Sequence, residues 1–398
     1  MNVLFLSDNP PLPTNGGVEN VVSILSSAFI KDLGWNCHSV FFYGECDGSE
    51  FTDLIHVDLN DCEADLLKII THYHIDVILN NVMSKHTANV IFPALKRIKE
   101  KDCPNIIHIF TFHSYPCYEL IKQHIPFLWK KMMVCGPSVD LLKNLFSQLV
   151  LRIVPMPLLE RKMKRKYATM TMGVDRVVCL SGKFKERFVK YSGISQDLVT
   201  DIPNPVSLDV DKELGRKEKI VLMVSRMDET SKRLSFVFDV WRLMEEDEHF
   251  SDWKLVLVGD GPDRAVYERI AKDYGLKNIS FEGRQNPAHY YDLASLFLTM
   301  SRYEGMPMTI LEAQQNGVVV VGLQSEHFLT LSDFVKDGES GFIAQSQQQM
   351  AQILKRLMSD EQLRSSVANQ AKSDLSKYDM RVVIRKWKEL CELLVKTN

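Results

Sequence analysis

Residues 220–262 read IVLMVSRMDETSKRLSFVFDVWRLMEEDEHFSDWKLVLVGDGP, and this stretch decides the fold class. Two short apolar runs, at 220–224 and 255–258, are typical of buried strands. Between them, the segment from Phe236 to Met244 has apolar residues at helical spacing. Because two parallel strands need a long crossover, usually a helix, the stretch predicts a strand–helix–strand unit of a parallel sheet.

The same alternation continues in both directions along the chain. Further apolar runs, alternating with amphipathic stretches, occur at 3–6, 40–42, 76–79, 106–110, 296–298 and 318–321. Two such series predict an α/β protein with two Rossmann-like domains, one at 1–204 and one at 205–379. Two prolines and several charges within 203–215 indicate a hinge there.

Composition narrows the class of protein. The chain has 398 residues, of which 45% are hydrophobic and 25% charged, which is typical of a globular protein and excludes a disordered or collagen-like chain. No apolar run approaches the roughly 20 residues that span a bilayer, and residues 1–8 indicate a first strand rather than a signal peptide. The eight cysteines contain no C-x-x-C pair, so we expect reduced core thiols in a cytoplasmic protein, with no metal site.

The small net charge of −3 hides a strong asymmetry along the chain. Residues 1–84 carry a net charge of −10, residues 85–190 carry +13, and residues 191–398 carry −6. The basic third indicates an anionic partner such as a membrane, a nucleic acid or a phosphorylated acceptor, unless its cations only solvate helix faces.

Apolar residues beside the densest basic run favour the membrane among these alternatives. Phe127, Leu128 and Trp129 precede the run, and no nucleic-acid motif or set of interleaved stacking aromatics is present. The residues predicted to contact an anionic membrane are Trp129, Arg161, Lys162, Lys164, Arg165 and Lys166.

Several loops at predicted strand ends carry residues suited to an anionic or hydroxyl-rich ligand. Gly16 and Gly17 open the first helix, where free N–H groups attract anions, although a Gly-Gly pair is also common in plain turns. Arg226 and Lys232 follow the strand at 220–224, at the carboxyl edge where open α/β sheets bind ligands. Two cations there suit a diphosphate, or they are ordinary surface charge.

Three further glycines and two carboxylates complete the set of candidate residues. Gly259 and Gly261 end one strand and Gly283 ends the next, which are weak phosphate-loop or turn patterns. Glu304 and Glu312 stand eight residues apart across a Gly/Pro turn and into a helix. Paired carboxylates accept hydrogen bonds from adjacent sugar or ribose hydroxyls.

In order and spacing these motifs resemble the retaining GT-B glycosyltransferases of family 4, the large sucrose-synthase-like family (glycosyl transferases group 1). The resemblance covers nearly the whole chain. Its pieces are the stretches at 16–19, 204–205, 226–232, 258–262, 281–283, 304–313 and 335–342. It implies a GT-B fold, in which two Rossmann-like domains face each other across a cleft and a C-terminal helix at 380–398 returns to the first domain.

The resemblance also implies roles for individual residues. Arg226 and Lys232 would bind the donor diphosphate, with Gly259, Gly261 and Gly283 in the loops beside it, and Glu312 would bind the ribose. Glu304 would hold the donor sugar's hydroxyls. The amides of Gly16 and Gly17 would lie against the sugar or phosphate, and His113 would be the histidine near the transferred sugar, unless it only caps a loop.

Two departures from the family pattern concern the donor sugar. Val319 stands where the family usually has proline, and the loop at 324–327 lacks the usual glycines. The implied enzyme moves a sugar from a nucleotide-sugar, a UDP-sugar as first expectation, to a saccharide or lipid-linked acceptor. It would work at the inner face of the cell membrane without a metal or other cofactor, in polysaccharide or glycolipid synthesis.

Two alternative functions remain open on the sequence. One is a nucleotide-cofactor oxidoreductase, which the lack of a G-x-G-x-x-G fingerprint disfavours. The other is a binding or scaffold protein of the same shape that does not turn over, which the presence of Arg226, Lys232, Glu304 and Glu312 disfavours.

Overall fold

The computed structural model describes residues 1–12, 16–45, 54–120, 125–206, 215–328 and 330–397. The chain divides into two compact units. The first comprises Met1–Cys117, Pro155–Ser207 and Tyr378–Asn398, and the second comprises Tyr118–Val154 and Leu208–Lys377.

The first unit is a parallel sheet with helices. Its strands and helices in chain order are β1 (Asn2–Ser7), α1 (Gly17–Leu33), β2 (Asn36–Phe41), β3 (Leu54–His56), α2 (Cys62–His72), β4 (Val77–Asn80), α3 (Lys85–Lys101), β5 (Ile107–Phe112), α6 (Met156–Met170), β6 (Arg176–Cys179), α7 (Gly182–Ser192), β7 (Val199–Asp201) and α16 (Met380–Thr397). Two further helices, α4 (Ile125–Cys135) and α5 (Val139–Ile153), lie between β5 and α6 in the chain but belong to the second unit. The sheet order is β3-β2-β1-β4-β5-β6-β7. Because β1 pairs with both β2 and β4, the strand order reverses there, and that point is where such sheets bind ligands.

The C-terminal helix α16 belongs to the core of the first unit. Its buried residues pack in one cluster with α1 and with β1, β4 and β5; they are Val383, Ile384, Trp387, Cys391 and Leu394. The chain's departure and return lie side by side, since the Val206 amide donates to the Tyr378 carbonyl at 2.9 Å. Residues 207–214, most of the predicted hinge, lie outside the described residues.

The second unit has a parallel sheet of its own. Its remaining elements are β8 (Ile220–Val224), α8 (Glu229–Lys232), α9 (Ser235–Glu245), β9 (Lys254–Val258), α10 (Arg264–Asp273), β10 (Ile279–Gly283), α11 (Ala288–Leu293), β11 (Leu296–Thr299), α12 (Met308–Gln315), β12 (Val319–Leu323), α13 (Leu331–Phe334), β13 (Phe342–Ala344), α14 (Gln347–Ser359) and α15 (Glu361–Asp374). The order is β10-β9-β8-β11-β12-β13, so the reversal lies between β8 and β11.

One segment differs from the domain division predicted from the sequence. Helices α4 and α5 lie between strands of the first sheet, yet they pack with the second unit. Phe127 enters that unit's core with its ring 5.7 Å from the ring of Tyr267, and Lys131 forms an ion pair with Asp263. An apolar ring buried in the second unit holds this segment there, although its place in the chain assigns it to 1–204.

Burial also corrects two expectations about individual residues. Phe127 and Leu128 are 5% exposed, so they cannot insert into a membrane as their sequence position suggested. Cys135 is exposed, whereas the other described cysteines are buried or half-buried free thiols. Within the described residues, no helix is both long and apolar enough to cross a bilayer.

Candidate functional site

A salt bridge joins two of the sequence-predicted site residues at the point where the second sheet reverses its strand order. Lys232 lies at the end of α8, after β8, and Glu304 lies in the loop after β11. The Lys232 ammonium donates to Oε1 of Glu304 at 2.5 Å, and the Ser301 hydroxyl donates to the same oxygen at 2.5 Å. Oε2 of Glu304 has no partner among the described residues, so it can accept a ligand hydroxyl.

Backbone contacts fix the two loops that carry this pair. The Arg302 amide donates to the Ser231 carbonyl at 2.7 Å. The Arg233 guanidinium crosses in the other direction and donates to the carbonyls of Met300 at 2.8 Å and Ser301 at 3.2 Å. Hydrogen bonds between the two loops therefore hold Lys232 and Glu304 next to each other.

The glycines after β9 allow the neighbouring loop to pack closely beside the cations. A Cβ at Gly259 would lie 2.0 Å from the Ser225 carbonyl oxygen, and one at Gly261 would lie 2.5 Å from that of Met227. Gly259 has φ +132°, which favours glycine, and its amide donates to the Gly283 carbonyl at 2.7 Å. These glycines place the backbone of the β9–α10 loop directly against the loop that carries Arg226.

Arg226, which follows β8, and Glu312, which lies in α12, have different environments. Arg226 is exposed, and its guanidinium has no hydrogen-bond partner in the part of the chain that the structure describes. Glu312, in α12, accepts from the Tyr291 hydroxyl at 2.9 Å. Burial raises the pKa of Glu312, an effect that this hydrogen bond partly offsets. No contact joins Glu312 to Glu304 among the described residues.

Gly16 and Gly17 begin α1 in the first unit, after β1. A Cβ at Gly16 would lie 2.5 Å from Oε2 of Glu19, a buried carboxylate whose other oxygen accepts from Asn9 at 3.0 Å. Nothing lies within 4 Å of a Cβ at Gly17. The N-terminus of α1 therefore has space beside Gly17, and the carboxylate of Glu19 lies beside Gly16.

His113 follows β5 in the first unit and is held by Asn81, which follows β4. The Asn81 amide nitrogen donates to the Leu79 carbonyl at 3.0 Å, which turns Oδ1 toward His113 Nε2 at 2.8 Å. Because Oδ1 only accepts, Nε2 carries the proton and Nδ1 is the acceptor of the ring. Burial lowers the pKa of His113 to about 4, so the ring is neutral at pH 7.

This lowered pKa predicts that His113 makes the fold sensitive to acid. Between pH 6.5 and 4, the unfolded chain binds a proton at this site that the folded protein does not, so stability falls as the pH drops. The free energy of unfolding of the wild type should therefore fall by about 2 kcal/mol more than that of His113→Gln between pH 7 and 5. Urea unfolding at the two pH values measures this difference.

A matched control for this prediction is His86→Gln, because His86 is exposed on α3. We expect this variant to show the same pH dependence as the wild type. Identical pH dependence of His113→Gln and the wild type would show that His113 titrates alike in the folded and unfolded chains.

Two buried carboxylates at the start of α8, those of Glu229 and Asp263, were not predicted from the sequence. Glu229 accepts from the Ser235 amide and hydroxyl and from the Tyr267 hydroxyl. Asp263 accepts from the Glu229 amide at 2.8 Å and pairs with Lys131 of α4. The pair anchors the start of α8, and neither residue has a motif around it that could have revealed this.

The residues predicted to contact a membrane fall into both units. Trp129, on α4, belongs to the second unit and is 53% exposed. The basic residues lie on α6 in the first unit. Arg161, Lys162, Lys164 and Arg165 are exposed and Lys166 is half-buried.

Comparison with known proteins bears on both the second unit and the whole fold. Residues 208–374 match the family model described as Glycosyl transferases group 1. The whole chain superposes on the Anabaena protein HepE, solved in complex with UDP and glucose, with a TM-score of 0.73 at 15% identity, covering 98% of this chain and 99% of that one. The chain has the GT-B fold.

Curated relatives match at low identity. One is the amylovoran biosynthesis glycosyltransferase AmsD of Erwinia amylovora, 27% identical over 45% of this chain and 50% of AmsD. Another is a Campylobacter jejuni enzyme, N-acetylgalactosamine-N,N'-diacetylbacillosaminyl-diphospho-undecaprenol 4-alpha-N-acetylgalactosaminyltransferase, 24% identical over 93% of this chain and 94% of the relative. Like AmsD, several relatives are matched over only about half of their own length.

Proposed function

We propose that this protein is a retaining glycosyltransferase of family 4. It transfers a sugar from a nucleotide-sugar to a hydroxyl of a saccharide or lipid-linked acceptor, in the synthesis of a surface polysaccharide or glycolipid. The observation that carries this proposal is the Lys232–Glu304 pair at the carboxyl edge of the second sheet, where the exposed Arg226 also follows β8. The pair supplies a cation for a diphosphate and a carboxylate for sugar hydroxyls in one place.

The reaction breaks the bond between the anomeric carbon of the sugar and the diphosphate oxygen. Negative charge then grows on the diphosphate, and Arg226 and Lys232 stabilise it. The acceptor hydroxyl attacks from the face that the diphosphate leaves, and its proton passes to a departing phosphate oxygen, which retains the anomeric configuration. Glu304 holds sugar hydroxyls and Glu312 holds the ribose.

A UDP-sugar is the first donor to test, because HepE, with the same fold, was solved with UDP and glucose. Arg226 and Lys232 supply positive charge to the diphosphate from the protein itself, so we propose a metal-independent reaction. No group of three or more His, Cys, Asp or Glu side chains that could hold an ion occurs in the described residues. The loop at 324–327, whose residues depart from the family pattern, contributes to the choice of sugar.

The acceptor and its place in the cell follow from the relatives and from the charge. The Campylobacter relative is named for a diphospho-undecaprenol substrate, so a lipid-linked acceptor is the class we propose here. The exposed cations of α6 would then attract the enzyme to the anionic inner face of the cell membrane, as a peripheral protein. A soluble saccharide acceptor would leave this basic helix without that role.

The function is tested by donor turnover. The purified protein is incubated with UDP-, GDP- and ADP-sugars and a diphospho-undecaprenol-linked saccharide as acceptor, with and without EDTA, and the released nucleoside diphosphate and the anomeric configuration of the glycoside formed are measured by NMR. We expect release from one donor class, retention of configuration, and the same rate in EDTA. An inverted product would exclude family 4 chemistry, and donor binding without turnover would favour the scaffold alternative.

A further inference from the structure

Helix α5 turns an apolar face outward. Its exposed apolar residues recur at spacings of three and four; they are Val139, Leu142, Phe146, Leu149, Val150 and Ile153. Phe146 is 68% exposed and Ile153 is 80% exposed. At 100° per residue, these six positions fall within an arc of about 100°, which is the width of the face that a surface helix normally buries.

The opposite side of α5 packs on the protein, although it is less apolar than the exposed side. Leu141 and Gln148 are its buried residues, and Gln148 is 5% exposed. The Ser138 hydroxyl accepts from the Leu141 amide at 3.2 Å and caps the helix. An amphipathic helix that buries a glutamine and exposes a phenylalanine has a surface suited to an apolar contact outside the described chain.

Helix α4 and the charges nearby favour a lipid surface as that contact. Trp129 and Met133, one turn apart on α4, are 53% and 79% exposed. Two exposed cations of α5, Lys143 and Arg152, border its apolar face, whereas the two lysines of α4 are paired with acids of the second unit. Apolar and aromatic side chains bordered by cations are typical of helices that lie in the interface of an anionic bilayer.

We propose that the apolar face of α5 inserts into the headgroup region of an anionic membrane, with Trp129 and Met133 of α4 beside it. The inference rests on the proposed function, which requires the enzyme to meet a lipid-linked acceptor. The mode of membrane attachment then differs from the one proposed above, because an inserted helix of the second unit, and not the charges of α6 alone, holds the protein on the membrane. Salt then weakens binding without abolishing it.

The first test compares two aspartate substitutions that lie one residue apart on α5. Phe146→Asp places a charge on the apolar face, and Ser147→Asp adds the same charge at an exposed position off that face. With vesicles containing phosphatidylglycerol, we expect Phe146→Asp to lower the fraction bound about tenfold or more, and Ser147→Asp to change it little. Equal loss in both variants, or no loss in either, would overturn the proposal.

The second test uses the wild-type protein, so it does not depend on a variant that folds. Of the five tryptophans, Trp129 is exposed, whereas Trp35, Trp241, Trp253 and Trp387 are at most 7% exposed. Vesicles of brominated phosphatidylglycerol should therefore quench the Trp129 fluorescence, and Trp129→Phe should remove that quenching. Absence of quenching would show that α4 does not enter the lipid.

Further arms separate this proposal from its alternatives. Changing Arg161, Lys162, Lys164, Arg165 and Lys166 together to Gln should reduce binding but leave Trp129 quenching detectable at high lipid concentration. If the wild type does not bind vesicles and Phe146→Asp reduces the molecular mass of the protein in solution, the apolar face of α5 joins two copies of the chain. UDP binding is measured on each variant, so vesicle binding can fail while the proposed function holds, and the reverse.

Discussion

Replacing Arg226 by alanine is expected to lower kcat/KM for the donor by about 10²–10³, and Lys232→Ala should do the same. Each cation stabilises charge on the diphosphate that grows as the sugar bond breaks, so the loss falls on the transition state. Steady-state rates of nucleoside diphosphate release measure the effect. Near wild-type rates in both variants would mean that the diphosphate binds elsewhere.

Lys219→Ala is the matched control for this pair. Lys219 precedes β8 at the opposite end of the strand from Arg226, and it pairs with Asp252 on the surface with 57% of its side chain exposed. The change removes the same charge from the same unit, far along the strand from the proposed site. A loss in Lys219→Ala equal to that in Arg226→Ala would indicate a general effect of charge on the unit.

Arg226→Ala tests the stabilisation of the diphosphate by one cation more directly than Lys232→Ala does. Lys232 also neutralises Glu304, so its removal leaves a carboxylate that is only 16% exposed without its cation. Part of the loss in Lys232→Ala therefore comes from Glu304, whose new repulsion would act on the diphosphate itself. Arg226 has no such partner among the described residues, and its variant isolates the contribution of a single charge.

The sequence predicted the architecture because the period of apolar residues is a local property. Strands and crossover helices alternate as predicted from the stretch at 220–262, and the fold is GT-B. Arg226 and Glu304 could be placed at one sheet edge because the carboxyl ends of parallel strands share an edge. That β8 and β11 are neighbours depends on strand order, which the local pattern does not contain.

The sequence could not assign the segment at 118–154 to a unit. An apolar run such as 127–129 predicts that something is buried, but not in which core. Phe127 turns inward against Tyr267, and Trp129 remains outside. The exposure of the apolar face of α5 could not be predicted for the same reason, since periodicity shows that a helix is amphipathic without showing which face is covered.

The partner of His113 could have been found from the rule that located Arg226. Asn81 stands just after the strand at 77–80, which pairs with β5. Strand ends that neighbour each other bring their next residues together, so an asparagine there is a candidate. The tautomer of His113 could not be predicted, because it depends on which way the Asn81 amide points.

The C-terminal helix gives the largest expected effect on stability. Trp387 of α16 is 2% exposed, and its ring centroid lies 6.4 Å from that of Phe29 in α1. Trp387→Ala should lower the free energy of unfolding of the first unit by about 3–5 kcal/mol, because it leaves a large cavity. Removing residues 380–398 should cost more, since it also exposes the apolar face of α1.

The change should be confined to the first unit, and hydrogen exchange read by mass spectrometry can show this. Peptides from β1 and α1 should exchange faster in Trp387→Ala, while peptides from β8 and β9 should not. Leu393→Ala, on the same helix but 55% exposed, should leave both sets unchanged. Equal acceleration in β8 would mean that the two units unfold together, and the chain's return to its first unit would then stabilise both cores.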